Sequence, residues 1–464
     1  MTELELQGEY VMDFFCRRQD GLGFREVKNN AVTPDLFIPA DLLEFLKENS
    51  RKAWQNLLRK SEYAGDEQLL LHQVMETIKE KIEASANVAI FLNKNRSITF
   101  GGETLQLIYV SGTELRGDED FNKNIFSAVE EMTYSFHHEG KKVFAFRPDL
   151  SFFINGIFLG YAELKSNFTN QTARANGRNK VTTDYLEAVW EYTKIADGND
   201  VSQTLRRRML RPFEKSIHLV TTDINDTFVL RNPGQFFDDL KQEGTISISS
   251  FRPIIEEVFK PLPTVADTET DPRVRFEEAM RSLYSKKMIE KEILYYNFMA
   301  YTYKTVTVKE NGKKVQKKEY KDKTGRLICP RPKQKFGCDR IVERVQEFLD
   351  HESEPNYFIN KLRAELTALD APQELIDKVI AERESYCNNK YVYSLLLQYA
   401  AGFGKSNIIG WTALQLKDLR HNGQWVYDKI LLVVDRLQLR DQLDSMMLNM
   451  NIDKAMFVEA TDQD

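Results

Sequence analysis

The segment RPDLSFFINGIFLGYAELK, residues 147–165, brings three chemically active side chains into a short space: Asp149, Glu163 and Lys165. Two apolar runs flank Asn155-Gly156, a pair that favours the tight turn of a β-hairpin. Glu163 and Lys165 are two residues apart, so on a strand they point to one face. A plain two-residue turn would set residue 148 opposite residue 163 and send Asp149 to the other face. A three-residue loop, or one bulge in the ladder, sets Asp149 opposite Glu163, and that one-residue offset is the expectation. Facing carboxylates repel, and a divalent cation between them reverses the sign. Carboxylates, a backbone carbonyl and water suit Mg²⁺, with Asp149 and Glu163 as the metal ligands. Lys165 beside it could orient or activate a water and stabilise charge on a phosphate. The competing interpretation is a solvated edge strand. Against it, the residues between the two acids are almost wholly apolar. The next segment, SNFTNQTARANGRNK, also carries Arg174, Arg178 and Lys180 with no acid, as a loop contacting nucleic-acid phosphates would.

A second constellation lies in LLLQYAAGFGKSNIIGW, where Gly402, Gly404, Lys405 and Ser406 stand between an expected strand and an expected helix. Glycines there let backbone N–H groups close around phosphates at a helix N-terminus. Lys405 would reach the β- and γ-phosphates of ATP, and Ser406 would hold Mg²⁺. Tyr399 occupies the place of the first glycine in the stricter form of such loops, so only the G-x-G-K-S ending is present. The bland alternative is a glycine turn followed by a chance Lys-Ser pair. Upstream, Gln334 precedes a helix, and an amide can read both the donor and the acceptor of adenine. Downstream, LLVVDRLQLRDQL carries Asp435-Arg436 at a strand end.

The elements that must position these residues follow from periodicity. Residues 33–84 read as helices, and NVAIFL, ETLQLIYV, KVFAFRPDLSFFI and IFLGYAEL as strands. TDYLEAVWEYTKIA is an expected helix; SIHLVTTD and TFVLRN are expected strands joined by Asn225-Asp226. The prolines and acids of 251–275 suggest a linker, followed by a helix pair. Residues 304–335 hold twelve Lys or Arg and three acids around Asn311-Gly312, which predicts a basic hairpin that either contacts DNA or is a simple insertion. An αβ alternation closes the chain, with VYSLLLQ and DKILLVVD as strands. The expected domains are 1–250, 251–330 and 331–464. The chain of 464 residues carries 64 basic and 70 acidic side chains, so any nucleic-acid contact must rest on local patches. Four cysteines lack paired zinc spacing and read as reduced thiols. No basic leader and no span of membrane length is evident, which makes the cytoplasm the expected location. His137-His138 read as a solvated turn, His218 as a packed strand residue, and 204–215 as either a DNA-tracking or a solvated helix face.

The D-(x13)-E-x-K pattern after Arg-Pro resembles the PD-(D/E)xK nuclease core. Together with LIYVSGTELRGDEDFNKNIFSAVEEMTYSF, the GFGKS loop and VVDR, it resembles the restriction (R) subunit of type I restriction–modification enzymes. The resemblance implies an α/β chain. A restriction-endonuclease-like mixed sheet flanked by helices would be followed by the beginning of a RecA-like lobe of a superfamily 2 helicase or translocase. It implies a Mg²⁺-dependent endonuclease with Asp149, Glu163 and Lys165 as cleavage residues. Gln334 would read adenine, and Gly402, Gly404, Lys405 and Ser406 would hold ATP. The partners would be double-stranded DNA and the methyltransferase and specificity subunits. Two departures matter. A Gln-x-x-x-Tyr pair of the family keeps Tyr192 as a DNA contact, beside Arg174, Arg178, Lys180 and Arg436, but has Ala188 at the Gln position. No acidic box and no second motor lobe follow the glycine loop, so motor activity is expected only from a longer protein. A partial lobe should leave a sheet edge unpaired. Other candidate functions are a non-catalytic nucleotide- or DNA-binding module, a stand-alone nuclease with an unrelated loop, and an ATP-dependent phosphotransferase.

Overall fold

Two apolar runs joined by Asn-Gly can bury both faces only inside a sheet that is covered on both sides, and the computed structural model shows that arrangement. It describes residues 10–111, 118–138, 141–165, 170–180, 209–211, 214–223, 225–231, 233–234, 259–261, 271–310, 313–321, 325–354, 356–386, 395–434 and 436–450. The chain forms two compact units, Met1–Lys333 with Asp444–Asp464, and Gln334–Leu443.

In the first unit a seven-stranded mixed sheet runs in chain order: β1 (Arg25–Val27), β2 (Phe126–Glu130), β3 (Leu150–Ile154), β4 (Ile157–Leu164), β5 (His218–Thr222), β6 (Thr227–Arg231) and β7 (Phe259–Pro261). The β1–β2 and β4–β5 pairs are parallel; the other four are antiparallel. Every residue of β3 and β4 is buried, so the hairpin is the interior of the sheet and not a solvated edge. Phe152, Ile154, Ala162 and Leu164 belong to the core shared with helices α1 (Pro39–Asn49), α2 (Arg51–Leu58), α3 (Glu67–Ala84) and α4 (Val88–Lys94). Phe153, Phe158, Tyr161 and Leu219 belong to a second core with Leu36, Tyr134 and Met209.

The Asn155-Gly156 turn is a two-residue turn with both residues left-handed, φ 49° and 76°. Asn155 is fully buried and saturates its amide. Nδ2 donates to the Leu107 carbonyl and to Asn124 Oδ1, both at 2.8 Å, while Oδ1 accepts from Ile125 N at 2.8 Å. A Cβ on Gly156 would stand 2.4 Å from the Ile38 carbonyl, so the turn docks tightly against the start of α1.

Several expected elements come out differently. NVAIFL is helix α4, not a strand. Asn87 caps it by accepting from Ile90 N at 2.9 Å, and a short run buried on all sides has no period to tell strand from helix. KVFAFRPDLSFFI breaks at Arg147-Pro148: among the described residues Lys141–Phe146 pairs with Tyr134–His138 and not with the main sheet, which resumes at β3. His137 therefore lies on a strand, exposed, and not in a turn. ETLQLIYV is a strand only over Glu103–Gln106. The 251–275 segment contributes edge strand β7, and its other residues before Asp271 lie outside the described ones. TDYLEAVWEYTKIA, with Ala188 and Tyr192, also lies outside them. His218 is buried, its ring centroid 5.2 Å from that of Tyr284. Of the 204–215 stretch, Arg211 is turned inward beside Asp35 at 3.3 Å and over the Phe37 ring, so it is no part of a solvated or DNA-tracking face.

Beyond the sheet, helices Pro272–Tyr284 and Lys286–Lys291 cover the first face and lead into a wide turn, Glu292–Tyr296. Arg231, at the end of β6, grips Glu292 with two hydrogen bonds of 2.7 and 2.6 Å. The basic hairpin pairs Tyr303–Glu310 with Lys313–Tyr320.

The second unit contains helices Tyr357–Ala368, Gln373–Tyr386 and Lys405–Lys417. The described parts of the expected strands VYSLLLQ and DKILLVVD, residues 395–398 and 428–434, carry no strand. Leu396, Leu431 and Val433 are 92%, 81% and 82% exposed. A strand exists only as one member of a hydrogen-bonded ladder. No described residue pairs with either segment, so neither forms a strand.

Replacing Asn155 by Ala removes three buried hydrogen bonds and puts a Cβ-bearing residue without a polar side chain at positive φ. The expected loss is about 3 kcal/mol in urea unfolding, with Asn155→Asp losing at least as much, because a buried carboxylate would face two acceptor oxygens in place of the Nδ2 donor.

Candidate active site

The hairpin register decides which side chains meet. Near the turn Ile154 pairs with Ile157 and Phe153 with Phe158. Beyond it Phe152 pairs with Gly160 and Leu150 with Ala162. Leu159 is the extra residue, a one-residue bulge. The expected offset is present, supplied by the ladder and not by the loop. Its effect is a change of parity along β4. Ile157 and Leu159 pack in the helical core, whereas Tyr161, still an odd-numbered residue, packs in the second core. Glu163 follows Tyr161 to that second side.

Asp149, one residue before β3, meets Glu163 there. Its Oδ2 accepts from Leu164 N at 2.6 Å, and its own carbonyl accepts from Glu131 N at 3.0 Å. Asp149 is thus held by backbone on both sides, its carboxylate by Leu164 and its main-chain carbonyl by Glu131. Glu163 is completely buried. Lys165 Nζ donates to Glu163 Oε1 at 2.5 Å and to the Leu164 carbonyl at 3.0 Å. Lys180 Nζ also pairs with Glu163 Oε1 and stands 4.0 Å from Asp149 Oδ1. Glu163 Oε2 is buried with no hydrogen-bond partner, and so is Oγ1 of Thr221, its register partner on β5. Burial first, then the negative charge of Asp149, pushes the Glu163 carboxyl up to about 7; Lys180 and Lys165 pull against that rise.

Lys180 is delivered by the turn Ala173–Gly177 and the residues after it. Ala173 N donates to Asp223 Oδ2 at 2.7 Å, tying the turn to the end of β5. Gly177 lies so close to β5 that an added Cβ would stand 1.8 Å from Thr221 Oγ1. Sequence reasoning placed Lys180 only in a loop that touches DNA. Its pairing with Glu163 depends on this long-range docking, and the one local hint was a glycine in RANGRNK. Arg174 is exposed, but Arg178 is buried, its guanidinium 4.9 Å above the Phe228 ring, and faces protein instead of solvent.

The residues fit a divalent cation. An unpartnered buried carboxylate oxygen sits beside a second carboxylate, with the Leu164 carbonyl adjoining. Among the described residues no group of three His, Cys, Asp or Glu side chains could hold a metal.

In the second unit Gly402 and Gly404 both have positive φ, 75° and 81°, and Gly404 caps helix Lys405–Lys417. Lys405 is exposed and donates to the Tyr399 carbonyl at 3.0 Å; Ser406 is in the same first turn. Gln334 donates to the Phe403 carbonyl at 2.5 Å, and a Cβ on Gly404 would stand 2.6 Å from its Nε2. The loop and the Gln334 amide are therefore one packed unit. Arg436 is exposed, one residue ahead of helix Leu437–Asn449; Asp435 lies outside the described residues.

An acid whose folded-state pKa stands above its unfolded value binds its proton more tightly when folded. Glu163 thus destabilises nothing below about pH 4.3 and progressively more up to about pH 7. Glu163→Gln lacks that slope. Its melting temperature minus that of the unsubstituted chain, both free of divalent cations, should rise from about pH 5 to about pH 8. A flat or falling difference shows a carboxylate already ionised at the acid end.

Residues 15–204 match the family described as type I restriction enzyme R protein N terminus. No curated protein and no solved structure matches the chain.

Proposed function

We propose, from the match of residues 15–204 to the type I restriction enzyme R protein N terminus family, that the hairpin site cleaves double-stranded DNA with Mg²⁺. One observation carries this reading. Asp149 and Glu163 converge on one side of a buried hairpin, with an unpartnered Glu163 oxygen and Lys165 between the second acid and the Leu164 carbonyl. Asp149, Glu163 and the Leu164 carbonyl would hold the cation. When bound, it supplies a Lewis acid that polarises the phosphoryl oxygen and makes a bound water acidic. Lys165 is positioned to orient that water and to stabilise the negative charge that grows on the phosphate. The backbone hydrogen bond from Leu164 N keeps Asp149 pointed at the site before substrate arrives.

The reading extends to the whole restriction subunit. Lys405 with the backbone of Gly402–Ser406 holds ATP phosphates, and Gln334 contacts adenine on releasing the Phe403 carbonyl. The same reading has ATP hydrolysis drive DNA translocation, with cleavage following in a complex with methyltransferase and specificity subunits. Arg174, Lys180, Tyr192 and Arg436 remain candidates for DNA contact.

Asp149→Ala and Lys165→Ala, each assembled with the partner subunits, should lower the DNA cutting rate about 100-fold or more while far-ultraviolet circular dichroism stays unchanged. Cutting at the original rate returns the carboxylates to a structural role in a non-catalytic binding module. For the glycine loop, calorimetric titration with ATP should show binding by the unsubstituted chain and about tenfold weaker binding by Lys405→Ala. Equal affinities remove the nucleotide site.

A further inference from the structure

Two lysines share one buried carboxylate oxygen, and they are not equivalent. Lys165 is enclosed, its side chain 7% exposed, and it is held by a second hydrogen bond to the Leu164 carbonyl. Lys180 is 36% exposed and reaches in from the solvent side, touching Glu163 and standing 4.0 Å from Asp149. Its ammonium bridges the two acids, which is where a shared cation would have to sit. With both carboxylates ionised, the two ammonium groups bring the four groups to zero net charge. Adding a doubly charged cation while both lysines stay would leave two uncompensated positive charges at a buried carboxylate, which is strongly unfavourable. One lysine must leave. A long flexible stem with its head near water can withdraw at small cost, whereas Lys165 would abandon a buried carbonyl.

We propose that Lys180 is the resident counter-charge of the cation-free site, and that a divalent cation displaces its ammonium to the surface, where it becomes available to a DNA phosphate. The inference rests on the cation-binding reading of Asp149 and Glu163. It adds an order of events: the cation enters against Lys180, and a phosphate-seeking charge is released as it does. The turn that carries Lys180 need not move, because Ala173 and Gly177 stay docked on β5 while only the side chain swings. Before loading, Lys180 keeps two facing acids from repelling each other; after loading, the cation takes over that role.

The test uses the full chain and Ca²⁺ as a non-catalytic probe, followed by titration calorimetry. The unsubstituted chain should bind Ca²⁺, and Asp149→Asn should abolish the binding. Lys180→Met should bind Ca²⁺ about tenfold more tightly, since a competitor has been removed. A second readout needs no variant. Labelling with an amine-reactive reagent, read by peptide mass spectrometry, should become several-fold faster at Lys180 when Ca²⁺ is added, while Lys165 stays protected. If the unsubstituted chain binds Ca²⁺ through Asp149 but Lys180→Met binds no tighter, or labelling of Lys180 does not increase, the displacement is refuted and the metal site stands. If no Asp149-dependent binding is found at all, the metal reading itself fails and takes this inference with it.

Discussion

One extra residue in one strand governs the chemistry of this hairpin. Because side chains on a strand alternate with period two, the bulge at Leu159 exchanges the two faces of β4 from that point on. Upstream of it, odd-numbered residues feed the helical core; downstream they feed the other side, and Glu163 goes with them. Everything electrostatic follows from that exchange. Glu163 comes to face Asp149 and Thr221, it is shut away from water, and its proton is held more tightly. Two carboxylates so placed repel, so the surrounding structure must over-determine their positions. It does so through the saturated Asn155 turn at one end of the hairpin and the Leu164 N–H on Asp149 at the other.

The hairpin was legible because its cues are local: an Asn-Gly turn and two apolar runs. The need for an offset was also legible, since without it the acids could not meet. Where the offset lies was not. An Asn-Gly pair suggests a bulge at the turn, but the extra residue is three positions further on, next to Gly160. A Cβ on Gly160 would stand 2.5 Å from the His218 carbonyl. That close approach joins residues far apart in the chain, and no local pattern records it. The same limit hid Lys180, whose partner depends on a turn docked against β5. The α4 segment was misread because an all-apolar run has no face. The runs at 395–398 and 428–434 were misread because apolar composition reports a wish for burial and says nothing about which strand will accept the ladder.

The two candidate sites use different parts of the polypeptide. The hairpin site is made of side chains, with charges brought together inside a sheet and balanced by lysines of unequal freedom. The glycine loop is made of backbone: two left-handed residues and the first turn of a helix, with its one long cation, Lys405, lying outside and bonded to Tyr399. Side-chain chemistry needs burial and an exact register, which the first unit provides over the whole length of β3 and β4. A backbone loop needs only the conformation of a few residues, so the two left-handed glycines and the helix cap form even though no described residue pairs with the neighbouring apolar segments.

The buried grip of Arg231 on Glu292 has a consequence for handling the protein. Both side chains are almost fully enclosed, and Asn297 donates to the Glu292 carbonyl from the same pocket. Mobile ions weaken charge pairs that water reaches, and they have little access to one sealed between a strand end and a wide helical turn. Brine strong enough to strip bound polynucleotide from basic patches during purification would therefore leave this junction closed, and the sheet would stay joined to the helices packed on its first face.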